Sequence, residues 1–263
     1  MTIDSSKPII ELKGVQVKYG DVCALDIDDV VIMPGERVFV LGRSGSGKTT
    51  MSRLLKGRVG AATGSVKVFG EELSRVGTYE TQQHVAMVDQ EFNLVPRMSV
   101  VRNVLTGSLG RVPLWWSLLG MYPTKEWEKA ESILQEVELE GFGGRRADTL
   151  SGGQKQRAAI ARALMQEAPV ILADEPISNL DPELAEDALE LLISCTSRRE
   201  DTLIVNLHQP RLARMFATRV IGLHEGKVVF DGAPEKLSST DEEFIYSGAA
   251  PELPIIEAKV EVG

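Results

Sequence analysis

"RVFVLGRSGSGKTTMSRLLKG", residues 37–57, decides the fold. Its opening RVFVL is a continuous apolar run, the pattern of a strand buried on both faces. It leads directly into GRSGSGKTT, residues 42–50, which carries the spacing G-x-x-x-x-G-K-[ST] at Gly42, Gly47, Lys48 and Thr49. KTTMSRLLK then reads as a helix stopped by Gly57. Strand, glycine loop and helix are the setting in which this motif holds phosphate. Gly42, Ser44, Gly45, Ser46 and Gly47 let backbone N–H groups curl around phosphate oxygens, and the helix N-terminus adds partial positive charge. Lys48 places a cation on the β- and γ-phosphates, Thr49 offers a hydroxyl to Mg²⁺, and Thr50 follows in the same turn.

Outward from the loop, IIELKGVQVKYG and ALDIDDVVIMPGE alternate apolar and polar residues and end at glycine turns, as half-buried antiparallel strands do. SVKVFG and HVAMVDQ are further short strands. The texture turns helical over residues 92–166. In TKEWEKAESILQEVEL, Trp127, Ala130, Ile133, Leu134 and Val137 share one helical face, with Thr124 expected at the N-cap. PVILADE, TLIVNLH and RVIGLHEG then return as buried strands separated by helices, which implies a parallel sheet with helices on both faces. The expected fold is therefore α/β, a mostly parallel core with an antiparallel N-terminal layer. A helical insert over residues 91–166 sits within a single domain of residues 1–245. Residues 246–263, Pro- and Glu-rich, form an extension.

A second chemistry follows from PVILADE. A carboxylate ending a buried parallel strand lies at the sheet edge where α/β proteins bind ligands. Asp174 is placed to hold Mg²⁺ and Glu175 to orient or deprotonate an attacking water. Bulk composition narrows the partners. A formal charge of -9 and a pI near 5.0 disfavour nucleic acid, which selects basic surfaces. Cys23 and Cys195 lie far apart without metal-type spacing, which suggests free thiols in a reducing compartment. No signal-peptide pattern opens the chain, and no run approaches the roughly 18 apolar residues of a spanning helix.

One motif remains unexplained by this scheme: SGGQ, residues 151–154, a second glycine turn opening a helix. Together with the 42–50 loop, Gln90, Asp174–Glu175, SNLD at residues 178–181 and His208, it resembles the nucleotide-binding subunit of an ATP-binding cassette (ABC) transporter over residues 9–237. The resemblance implies a P-loop NTPase (RecA-like) core with an inserted helical subdomain, and ATP and Mg²⁺ as cofactors. It also implies an ATP-sandwich homodimer. Ser151, Gly152, Gly153 and Gln154 would cover the γ-phosphate held by the second copy. Tyr19 would stack on adenine, Gln90 would sense Mg²⁺ and the γ-phosphate, and Asp181 would belong to the turn that speaks across the dimer. His208 would contact the γ-phosphate and steady Glu175, while His84 and His224 are structural. Asp89 departs from the apolar or aromatic residue of many relatives.

EFNLVPRMSVVRNVLTGSLGRVPLWWSLLGMYP, residues 91–123, and VNLHQ, residues 205–209, resemble the phosphonate-import branch. The implied partners are integral membrane permease subunits and an extracytoplasmic solute-binding protein, with the chain peripheral on the cytoplasmic face of the membrane. The Trp115–Trp116 pair has two readings: packing inside the insert, or a wall of the groove that receives a short permease helix. An ATPase of an exporter or lipid-extraction system is the alternative function. A single cassette disfavours the ribosome-acting type. The modest insert disfavours chromosome-organising and repair ATPases, which need a long coiled coil.

Overall fold

The computed structural model describes residues 4–73, 82–113, 115–116, 120–178 and 180–247. In chain order they form β1 (Ile10–Tyr19), β2 (Val22–Ile32), β3 (Arg37–Leu41), α1 (Lys48–Leu55), β4 (Thr63–Val68), β5 (Glu71–Glu72) and β6 (Val85–Val88). Then come α2 (Val100–Leu105), α3 (Thr124–Glu136), α4 (Gly152–Met165), β7 (Val170–Asp174), α5 (Pro182–Arg198) and β8 (Thr202–Leu207). The described chain closes with α6 (Pro210–Phe216), β9 (Arg219–His224), β10 (Lys227–Gly232) and α7 (Ser239–Ser247).

Two sheets result. The N-terminal one is antiparallel, in the order β2-β1-β4-β5. The central one, β10-β9-β3-β8-β7-β6, is parallel except where β10 folds back on β9. The apolar runs of β3, β7 and β8 are buried throughout, apart from the half-buried Arg37 at the start of β3, because both faces of this sheet are covered. Val38 and Val40 of β3 and Val170 and Leu172 of β7 face a core shared with the antiparallel layer and with Met51, Leu54 and Leu55 of α1. Phe39, Leu41, Ile171 and Ala173 face the opposite core, filled by α2 to α6. Period-two alternation thus divides one sheet between two cores.

In α3, Ala130, Ile133 and Leu134 are buried as their spacing requires, Val137 at its C-cap is buried too, and Trp127 packs at the core's edge. Its start differs from expectation: Thr124 is the first helical residue and Pro123 occupies the cap. With ψ of 146°, Pro123 turns its carbonyl to accept from the amides of Glu126 (2.9 Å) and Trp127 (3.4 Å), so no hydroxyl cap is used. His84 meets the Phe69 ring at 5.3 Å, and His224 stacks on Phe244 at 5.8 Å.

Candidate functional site

The parallel strands deliver their C-terminal ends to one edge, and the chemistry gathers there. Loop 42–47 leaves β3 and wraps the start of α1. Its shape depends on glycine, as Gly42 and Gly47 show. A Cβ on Gly42 would lie 2.3 Å from Ser46 Oγ and 2.5 Å from the Leu223 carbonyl. Gly47 has φ of 106°, and a Cβ there would meet the Ala24 carbonyl at 2.8 Å. Ser44, Gly45, Gly47, Lys48, Thr49 and Thr50 line a cleft of about 290 Å³ with Ala24, Gln90 and Glu175. Ser46 is buried beside it, and its Oγ has no hydrogen-bond partner among the described residues.

Lys48 is almost wholly buried. Its ammonium donates to the Gly42 carbonyl at 2.8 Å and the Arg43 carbonyl at 3.0 Å, and lies 3.7 Å from Glu175 Oε1. Burial pulls its pKa down, and the charges of Glu175 and Asp174 oppose that pull. His208 stands between the two: Nδ1 is 3.4 Å from Lys48 Nζ and Nε2 is 2.5 Å from Glu175 Oε1. An ammonium only donates, so Nδ1 accepts and Nε2 carries the proton toward the carboxylate. Glu175 sits at φ of 49°, a left-handed conformation for a non-glycine residue, held by its amide bonding to the Asn206 carbonyl. Such local strain concentrates at functional sites.

Asp174 ends β7 buried, and Thr49 Oγ1 donates to its Oδ1 at 3.3 Å. Asn206, in the middle of the apolar stretch of β8, donates from Nδ2 to the same oxygen at 2.6 Å and contacts Ser52 Oγ at 2.9 Å. Sequence reading passed over Asn206, yet a lone amide inside TLIVNLH was a signal, since a buried polar side chain needs partners. Thr49, Asp174 and the Gln90 amide are all hard oxygen donors, the class Mg²⁺ takes together with water and substrate phosphate. The glycine cradle, the unpartnered Ser46 hydroxyl and this donor set fit a nucleotide phosphate with its metal.

Other expected residues lie apart. Tyr19 ends β1 and is 46% exposed, an open ring. Asp181 is exposed at the N-cap of α5. The SGGQ turn does not line the phosphate cleft. Ser151 caps α4, its Oγ accepting from the Gln154 amide at 3.3 Å while the Gln154 side chain accepts from the Ser151 amide at 3.1 Å. The Ser151 hydroxyl proton is not used in that box, and Ser151 and Gly152 face solvent. A Cβ added at Gly152 or Gly153 would make only ordinary contact with Leu180 or Leu184.

Asp89 turns away from the cleft that its neighbour Gln90 lines. It pairs with Arg58 at 3.5 Å and lines a groove of about 590 Å³ with Lys56, Leu109, Arg111 and Arg162. Burial lowers the Lys56 pKa to about 8, Arg58 adds to the fall, and Asp89 opposes it. Trp115 and Trp116 pack on each other at 5.0 Å and are not among the groove's lining residues.

A family model described as ABC transporter matches residues 25–178, more than half of the 263-residue chain. The chain belongs to the ABC transporter family. A relative in Trichodesmium erythraeum, phosphonates import ATP-binding protein PhnC 2, is 43% identical over 206 residues, 78% of this cassette and 79% of its own length. PhnC 1 of Natronomonas pharaonis is 42% identical over 240 residues, covering 90% and 99% respectively. Among solved structures, the dimeric cassette MJ0796 superposes with a TM-score of 0.73 at 31% identity, over 86% of this chain and 98% of that one. The same cassette has been seen as a post-hydrolysis dimer bound to ADP and Pi, with a TM-score of 0.71 at 31% identity.

Proposed function

We propose that the chain is the ATP-hydrolysing subunit of an importer for phosphonate or a related reduced-phosphorus oxyanion. The observation that carries the catalytic half is the Lys48–His208–Glu175 cluster beside the phosphate loop. Lys48 and the loop amides bind the β- and γ-phosphates. Thr49, Asp174 and Gln90 would hold Mg²⁺, which neutralises charge developing on the transferred phosphoryl group. Glu175 orients and deprotonates the attacking water, and His208 fixes Glu175 while reaching the γ-phosphate. Tyr19 provides the adenine platform.

Ser151, Gly152, Gly153 and Gln154, remote from their own cleft, serve the site of a second copy. There the free Ser151 proton and the N-terminal end of α4 meet the γ-phosphate, and Asp181 lies beside that contact. The dimers formed by MJ0796 support this arrangement. The insert over residues 91–166 and the core of residues 1–245 work as one cassette. The tail, from residue 248 on, lies outside the described residues. The charged groove between α1 and the start of the insert takes a cytoplasmic helix of a permease on the inner face of the membrane. An extracytoplasmic binding protein selects the solute. The relatives' shared name supports import of phosphonate over the exporter alternative.

Glu175→Gln tests the enzyme: hydrolysis should fall by about two to four orders of magnitude, while ATP traps a dimer visible by size exclusion. Undiminished turnover removes Glu175 as the base. Titrating the partner binding protein with phosphonates, phosphite, sulfate and amino acids tests the solute. Tight binding confined to an amino acid or sulfate overturns it.

A further inference from the structure

The last described helix, α7, reaches back to the edge of the sheet that carries the site. Ile245 is fully buried, and only the missing side chain of Gly222 leaves it room: a Cβ there would lie 2.5 Å from Ile245 Cδ1. The Ile245 carbonyl lies 3.2 Å from His224 Nδ1, and Phe244 stacks on the same imidazole. These bonds fasten α7 to β9, the strand that pairs with β3 below the phosphate loop. The free face of α7 then turns to the segment that carries His208. Glu242 pairs with Arg214 near the end of α6, and one helical turn later the Tyr246 hydroxyl donates to the main-chain carbonyl of His208 at 3.1 Å. That carbonyl precedes Gln209, the N-cap and first acceptor of α6, so the helix ladder leaves it unused.

We infer that Tyr246 is a positioning residue for hydrolysis: by holding the His208–Gln209 peptide against the rigid sheet, α7 sets the direction in which the His208 imidazole points. The His208 carbonyl belongs to a peptide plane, and pinning that plane restricts rotation about the residue's own backbone. Arg214 and Glu242 hold the far end of the same segment, so it is gripped at both ends. Imidazole Nε2 and Nδ1 then meet Glu175 and Lys48 without a search. Burial raises the Tyr246 pKa, with Glu242 adding to the rise, so the phenol remains a donor throughout the range in which the enzyme works. The inference rests on the role proposed above for His208.

Tyr246→Phe removes one oxygen and keeps the packed ring. Single-turnover hydrolysis by the full-length chain, at concentrations that bring two copies together, should slow by about 3- to 10-fold, the worth of one hydrogen bond. ADP affinity and KM should stay at wild-type values, and the melting temperature should fall by no more than the few degrees that one hydrogen bond is worth. A wild-type rate for Tyr246→Phe beside an inactive His208→Ala overturns the inference and leaves the site intact. A larger fall in melting temperature with proportionally weaker ADP binding overturns it too, by making the contact structural. An active His208→Ala overturns the assignment of His208 instead.

Discussion

Asn206 offers the sharpest quantitative test of the site. Its side chain is 1% exposed, donates to Asp174 Oδ1 at 2.6 Å and contacts Ser52 Oγ at 2.9 Å. Asn206→Leu keeps the branched outline and removes both contacts, leaving a buried carboxylate and a buried hydroxyl each short of a partner. A hydrogen bond to a charged group contributes about 1.5–3 kcal/mol and one to a neutral group about 1, so the variant should lose roughly 2–4 kcal/mol. At roughly 2–4 °C per kcal/mol for a domain of this size, the melting temperature without nucleotide should fall by roughly 4–16 °C. The functional consequence is separable. Asn206 fixes the orientation of a proposed metal ligand, and loss of such a support weakens metal binding by about 10- to 100-fold. The half-saturating Mg²⁺ concentration for hydrolysis should therefore rise by that factor, while binding of metal-free nucleotide changes little. Thermal melts followed by Mg²⁺ titration of ATP turnover give both numbers. An unchanged melting temperature with unchanged Mg²⁺ dependence would refute the account of how Asp174 is held.

Ser151→Arg should leave nucleotide binding by the monomer intact and abolish ATP-driven dimer closure, read by size exclusion in a Glu175→Gln background. Mixed with Lys48→Ala, it should regain hydrolysis, because one of the two composite sites in a heterodimer then carries an intact loop and an intact turn; no recovery on mixing would sink the shared-site model. Asp201 gives a pH test: burial, with Glu136 adding and Arg199 opposing, raises its pKa from 3.8 to about 6. A raised carboxylate costs stability above its folded pKa, so Asp201→Asn should raise the melting temperature at pH 7–8, with the gain shrinking as pH falls from 6 toward 3.8.

Legibility in the sequence followed the range of the physics involved. The RVFVL run, the glycine loop and PVILADE were readable because burial on two faces and left-handed turns are imposed on consecutive residues. Strand alternation in the N-terminal layer was readable for the same reason, and the register of β1 against β2 and β4 bears it out. What escaped depends on distant chain. Asn206 matters through Asp174, 32 residues away, and Tyr246 through His208, 38 residues away. Thr124 looked like a cap on composition alone, but the extended ψ of Pro123 already placed a carbonyl there. The Trp115–Trp116 rings pack on each other, and the groove beside Asp89 is lined by other charged, neutral and apolar residues that no local pattern groups together.

Asp89 shows how an apparent departure from a family pattern can be resolved by direction. Considered beside Gln90 alone, a carboxylate would compete for the metal. In the structure the two residues diverge, Gln90 into the phosphate cleft and Asp89 into the groove, where Arg58 neutralises it and the Lys56 and Arg162 cations also feel its charge. Helix α1 makes the same connection independently: Lys48 opens it in the cleft, and Lys56 and Arg58 follow its end in the groove. Eight residues of helix span about 12 Å, so α1 forms one short, stiff link between cleft and groove, and the Asp89–Gln90 peptide after β6 forms a second, direct one. A carboxylate at position 89 does chemical work only on the groove side. There it pairs with the exposed Arg58 and offsets the charge of the half-buried Lys56 and Arg162. An apolar residue at 89 would leave Arg58 and Lys56 repelling each other at the end of α1, and that repulsion would act on the helix that positions Lys48.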